Sequence, residues 1–115
     1  MLDRAYAPYS NFRVGCAVLT ESGKVYTGSN VENASYGLTI CAERSAISAA
    51  VSAEGPAMRL RAVVVLNAQG APCSPCGACR QVIFEFGQQA TVIYQGSTDL
   101  AEATAEQLLP AGFQL

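Results

Sequence analysis

The sequence predicts an α/β fold in which a β-hairpin leads into βαβ units and helices pack against a mixed sheet. Three observations carry this. Residues 12–29 read as two strands joined by a tight turn. The run Ala62-Val63-Val64-Val65-Leu66 reads as an interior strand. Helical stretches, one rich in alanine and one opened by proline, stand on either side of that run. At 115 residues, 50% of them apolar, the chain is expected to form one domain over residues 1–115 with a substantial core.

The elements follow in order. Ala7-Pro8-Tyr9-Ser10-Asn11 is a turn. From Phe12 to Thr20 the pattern alternates, with Phe12, Val14, Cys16 and Val18 on one face. Glu21-Ser22-Gly23-Lys24 closes a hairpin, and Val25 to Ser29 returns. Asn30 to Ile40 is expected to be a polar, irregular loop. Cys41 to Ala53 should be helical, with Gly55 and Pro56 as the stop. Arg61 to Leu66 suits a strand buried on both faces. Ser74 is placed to cap a helix whose first residue is Pro75 and which runs to Phe86, before Gly87. Ala90 to Tyr94 is a further strand. Thr104-Ala105-Glu106-Gln107 has the capping-box pattern of a short last helix.

Charge and cysteine usage narrow the function. Only 14% of residues are charged, the net charge is −2, and the seven basic residues form no stripe. A surface that tracks a nucleic acid polymer is therefore not expected, and a small or neutral ligand fits better. So little polar cover on a small domain points to apolar surface buried between subunits. No apolar run is long enough to span a membrane. No secretory signal is visible, and the cysteines number five, which favours a reducing, cytoplasmic setting with thiols used as ligands. The chain contains no histidine. A Ser-His or Cys-His nucleophile pair is thus excluded, and a transition-metal site would have to rest on sulfur, with or without carboxylates.

Two short motifs supply such a site: Cys41-Ala42-Glu43 and Pro75-Cys76-Gly77-Ala78-Cys79. They offer three thiolates and a carboxylate. Structural zinc sites close with four protein ligands, whereas catalytic ones leave a position for water. A neighbouring carboxylate that is not a ligand can then move that water's proton. Cys41 falls at one helix start, and Cys76 and Cys79 fall in the first turn of another. The positive ends of both helix dipoles favour thiolates there. Three thiolates around one Zn(II) carry net negative charge, and Arg44 is placed to hydrogen-bond a ligating sulfur and offset it. Arg80 is a second candidate for that role.

The cysteines alone leave other readings open. A Cys-x-x-Cys pair can be redox-active or structural. Cys73, Cys76 and Cys79 form part of an iron–sulfur run, but Ile83 and Phe84 stand where its fourth Cys and following Pro belong. Cys73 could also close a four-sulfur zinc site, although Ser74-Pro75 should turn it elsewhere. Cys16 is expected to be a small core residue.

Beyond the metal motif, the chain resembles the small homotetrameric cytidine deaminases. The resemblance runs through Tyr6-Ala7-Pro8-Tyr9-Ser10-Asn11-Phe12, Val14-Gly15, and Gly28-Ser29-Asn30-Val31-Glu32-Asn33-Ala34-Ser35-Tyr36. It continues through Cys41-Ala42-Glu43-Arg44, Pro75-Cys76-Gly77-Ala78-Cys79-Arg80-Gln81 and Leu108-Leu109-Pro110 with Phe113. These blocks keep the family order along nearly the whole chain, and the metal motif is the three-cysteine form of the zinc deaminase signature.

The resemblance implies a three-layer α/β/α sandwich of about five strands with one Zn2+ per subunit. It implies hydrolysis of cytidine and 2′-deoxycytidine to the uridines plus ammonia, as in pyrimidine salvage. It implies Cys41, Cys76 and Cys79 as ligands and Glu43 as the proton shuttle. Asn30 and Glu32 match a ribose-binding pair, Phe12 the aromatic beside the base, and Ala42 the residue whose backbone meets the pyrimidine. Ala34, Tyr36 and Phe113 match positions that reach a neighbouring subunit's site. Its partners would be a free nucleoside and three further copies of the chain. There are departures: only Met1 to Ala5 precede the first block where the family has a longer helix, Cys16 stands at a place commonly alanine, and the tail ends two residues after Phe113. A sibling deaminase acting on blasticidin-type nucleosides shares the metal chemistry, and a non-enzymatic zinc module would need a fourth protein ligand.

Overall fold

The computed structural model describes all residues from Met1 to Leu115. Five strands form one mixed sheet: β1 (Val14–Thr20), β2 (Val25–Ser29), β3 (Leu60–Asn67), β4 (Thr91–Gln95) and β5 (Leu100–Thr104). Their spatial order is β2-β1-β3-β4-β5. All neighbours are antiparallel except β3 and β4, which run parallel around the crossover helix. That helix is α2 (Gly77–Phe86); α1 (Ala42–Glu54) joins β2 to β3, and α3 (Ala105–Leu108) follows β5. The hairpin-plus-βαβ expectation is met, and the sheet has the five strands that the resemblance implies.

One core lies between the sheet and the helices. Cys16 and Val18 from β1, Val63 from β3 and Val92 from β4 meet Ala46, Ile47 and Ala50 from α1 and Ile83 from α2. The buried residues of α1 are Ala42, Glu43, Ala46, Ile47 and Ala50, the spacing of one helical stripe. Small side chains on that stripe let α1 come very close to β2. A Cβ on Gly28 would sit 2.5 Å from Ala46 N and 2.8 Å from Ala42 O. Only glycine fits at that point, and the fit fixes the first turn of α1. The helix stops at Gly55, whose φ of 84° suits glycine.

Several expectations change in detail. β3 is buried on one face only: Val63 is fully buried, whereas Ala62 and Val64 are half-buried and Leu66 is exposed. The reason is that α1, α2 and α3 share the face that carries Val63. On the opposite face, beside Gly15, lies the N-terminal turn Leu2–Arg4. The sandwich is therefore uneven, with three helices on one face and a single turn on the other. α2 starts at Gly77 with Cys76 as its cap, not at Pro75 with Ser74 as the cap. The Cys76 sulfur accepts from Cys79 N–H at 3.5 Å, so a ligand candidate serves where a hydroxyl was expected. The capping box of α3 forms as read: Thr104 Oγ1 accepts from Gln107 N–H at 3.1 Å, and Gln107 Oε1 from Thr104 N–H at 2.9 Å.

Candidate active site

Two helix starts meet beside the end of β3. Cys41 is the cap residue of α1, and Cys76 and Cys79 bracket the first turn of α2. The three sulfur atoms lie within 4.8 Å of one another, and Cys41 Sγ and Cys76 Sγ are 4.0 Å apart. Thiolates held tetrahedrally at about 2.3 Å from a zinc ion stand roughly 3.8 Å apart, so the cluster is close to the required shape. Cys73 is not part of it. Its thiol is turned towards Ser74 O, at 3.9 Å, on the rim of the cleft. Cys16 is buried in the core, and burial pushes its thiol well above the usual range.

Charge is arranged around these sulfurs. The Cys41 thiol is drawn down to about 5, first by a hydrogen bond with Cys79 and further by Arg44. The same sharing pushes Cys79 up, with burial adding to the rise. Arg44 donates from Nη2 to Cys41 Sγ at 3.5 Å and to Thr39 O at 3.4 Å. Its Nε is buried without a hydrogen-bond partner. A charged donor left open is tolerated where negative charge gathers, which three thiolates around a divalent ion supply. The residues present thus fit zinc.

Glu43 follows two residues after Cys41 and is only 5% exposed. Burial raises its carboxyl pKa, with the Cys41 charge adding to the rise. A carboxyl whose pKa is raised in this way is better suited to take a proton and return it. It opens on a cleft of about 220 Å³ whose walls include Phe12, Asn30, Thr39, Ala42, Val65 and Asn67. No lysine or arginine lines this cleft.

The other candidate residues divide into three groups. Phe12, Asn30 and Ala42 line the same cleft as Glu43 and the sulfurs Cys41 and Cys76. The Asn30 amide is engaged with backbone: it donates to Phe12 O at 2.8 Å and accepts from Val14 N–H at 2.9 Å. Glu32 faces an adjoining groove with Tyr9, Ser10, Tyr36 and Thr39, and Thr39 borders both spaces. Its carboxylate accepts from Tyr9 N–H at 2.9 Å, Ser10 N–H at 3.1 Å and the Ser10 hydroxyl, and these bonds hold its pKa below the usual range. Ala34, Tyr36 and Phe113 are exposed and lie outside the cleft of their own chain.

Arg80 does not reach a sulfur. Its donors go to Pro75 O, Leu108 O and Ser74 Oγ. Asn67 escaped the sequence reading. It is 8% exposed, lines the cleft, accepts from Gln69 and Ala71 N–H, and donates to Ala71 O at 2.8 Å. The signal available was an Asn directly before the turn-forming Ala68-Gln69-Gly70.

Comparison with known proteins agrees with this geometry. Residues 1–95 match the family model of the cytidine and deoxycytidylate deaminase zinc-binding region. The chain is 46% identical over 113 residues to a cytidine deaminase of Sporosarcina psychrophila, covering 96% of this chain and 82% of that one. It is 48% identical over 113 residues to a cytidine deaminase of Halalkalibacterium halodurans, covering 96% and 84%. The crystal structure of cytidine deaminase from Burkholderia pseudomallei superimposes with a TM-score of 0.88 at 46% identity, covering 97% of this chain and 90% of that one. A sulfur trio at two helix starts, a buried glutamate beside it and relatives of this similarity over nearly the full chain place it together: the protein belongs to the cytidine deaminase family of zinc-dependent hydrolytic enzymes.

Proposed function

We propose that this chain hydrolyses cytidine and 2′-deoxycytidine to uridine and 2′-deoxyuridine with release of ammonia, in pyrimidine salvage. The observation that carries this is Glu43, a buried carboxyl with a raised pKa, in the cleft that also holds Cys41 and Cys76. Cys41, Cys76 and Cys79 hold the zinc, which when bound supplies the Lewis acidity that lets water ionise near neutral pH. Glu43 takes the proton of the attacking water and gives it to N3 of the ring. It then takes the remaining proton from the new C4 hydroxyl as the C4=O bond forms and delivers it to the amine as the C4–N bond breaks, so water is consumed and ammonia released in balance. The backbone of Ala42 meets and orients the pyrimidine, and Phe12 covers its face.

Asn30 and Glu32 hold the sugar. An amide and a carboxylate together accept from and donate to hydroxyls. Glu32 is engaged by Ser10 and Asn30 by the Phe12–Val14 backbone, so sugar hydroxyls add to, or exchange with, bonds already in place. The absence of any cationic side chain from the cleft favours a free nucleoside over a 5′-phosphorylated one. Ala34, Tyr36 and Phe113 are exposed and would serve a neighbouring copy's site, which supports a homotetramer with shared sites, and the free cysteines fit a cytoplasmic setting. The low charge of the chain supports the same assembly.

The test is the ultraviolet difference spectrum of cytidine with zinc-loaded protein, beside Glu43→Gln. Conversion by the parent, with a loss of about 10²–10⁴-fold in kcat for the variant, is expected. Failure of folded, zinc-replete parent protein to convert either nucleoside would overturn the reading.

A further inference from the structure

Arg80 spends its guanidinium on three oxygen atoms from two parts of the chain. Nε donates to Pro75 O at 2.7 Å and Nη2 to Ser74 Oγ at 2.9 Å. Nη1 donates to Leu108 O at 3.0 Å, at the end of α3. Two of these acceptors sit immediately before Cys76 in the chain. Cys76 itself is exposed and caps α2, where its carbonyl accepts the first helical bond, from Arg80 N–H at 2.9 Å, and its sulfur accepts from Cys79 N–H at 3.5 Å. Of the three ligand candidates, Cys76 is the one left exposed, whereas Cys41 is half-buried and Cys79 buried, so it has the least packing around it. The backbone leading into it is held upstream by the Cys73 N–H to Gln95 O bond at 2.9 Å. Between that bond and α2, the side-chain hydrogen bonds to the segment are the long Cys73 Sγ contact with Ser74 O at 3.9 Å and the two shorter ones from Arg80.

We propose that Arg80 is a positioning residue for the metal: it clamps Ser74-Pro75 against the end of α3 and so presents the Cys76 thiolate to the ion. A planar fork with fixed donors suits this task, because it locks two acceptors that are far apart in sequence with little further loss of freedom. Holding Cys76 in place before the metal arrives removes an ordering cost from binding, which then appears as affinity. The inference rests on the three-thiolate site and not on the identity of the substrate.

The test compares the full-length parent with Arg80→Met and Arg80→Lys. Zinc affinity is read by competition with a chromophoric chelator, without substrate. Arg80→Met should bind zinc about 10-fold or more weakly, and Arg80→Lys should fall between it and the parent, since an ammonium cannot span all three acceptors. The melting temperature is measured for metal-free and zinc-loaded forms. A positioning role lowers that of the zinc-loaded form more. Equal losses in both forms, with unchanged zinc affinity, would show Arg80 to be structural only and would overturn the proposal. If Arg80→Met does not fold, Arg80→Lys decides alone: parent-like affinity overturns the proposal and a several-fold loss supports it. Arg61→Met, which removes a surface ion pair with Glu21, is the control expected to bind zinc as the parent does.

Discussion

Arg44 Nη2 lies 3.5 Å from Cys41 Sγ, three residues back on the same face of α1. The pair joins the start of a helix to the charge that its metal site must carry. Removing the guanidinium leaves three thiolates with less compensation, so more electron density rests on the ion and its Lewis acidity falls. Arg44→Gln is expected to keep zinc in near-stoichiometric amount but to lower kcat by about 10–100-fold. Metal analysis and steady-state rates on the same preparation check this. An unchanged kcat would reduce Arg44 to a structural contact.

Gly28 gives the sharpest packing prediction. Its missing Cβ is the space into which the backbone of Ala42 and Ala46 fits. Neither neighbour is a flexible side-chain end, so Gly28→Ala must push α1 off β2. The expected cost is about 1–3 kcal/mol in a denaturation midpoint. Because Cys41 and Glu43 open that same helix, kcat should fall together with stability. A stable but inactive protein would show that the site moves without the helix.

These two predictions show which parts of the molecule are legible in the sequence. Cys41, Glu43, Cys76 and Cys79 could be read because local spacing places them at helix starts, and the helix starts themselves are marked by turns, small residues and proline. β5 was not found. Leu100-Ala101-Glu102-Ala103-Thr104 has little strand-forming composition, and it becomes a strand by pairing with β4, from Gln95 opposite Leu100 to Thr91 opposite Thr104. The partners of Arg80 were equally hidden, because a carbonyl at Leu108 carries no mark in the sequence. The Ser74-Pro75 pair misled for a local reason: Pro75 is a good helix opener, yet Cys76 could also cap, through its sulfur. Asn30 and Glu32 share a motif but not a space, since the Tyr9–Ser10 turn draws Glu32 into the adjoining groove.

Tyr36 is 76% exposed and Phe113 68%, with Leu38 at 65% close in sequence to the former. Aromatic and aliphatic side chains left so open are expected to be covered by another copy. Tyr36→Glu should therefore shift the chain towards smaller species in light scattering and lower activity in parallel. If the variant dissociates but keeps full turnover, the sites are not shared between subunits.

Glu54 closes α1, where the negative end of the helix dipole disfavours a carboxylate. Hydroxyls compensate: Ser22 Oγ donates at 2.7 Å and the buried Thr20 Oγ1 at 2.9 Å, and with Tyr26 they hold the carboxyl below its ordinary 4.5. The sign follows from that depression. A carboxyl more acidic in the folded than in the unfolded chain adds stability that is complete above the unfolded value and is lost as pH falls through the folded one. The parent should therefore melt above Glu54→Gln at about pH 7, and the gap should close as the pH is lowered through and below the unfolded carboxylate range. Thermal melts of both proteins across that range, each free of metal so that thiol protonation enters only as a background common to both, give the comparison. A gap that stays constant with pH would mean that Glu54 holds the β1–β2 turn by shape rather than by charge.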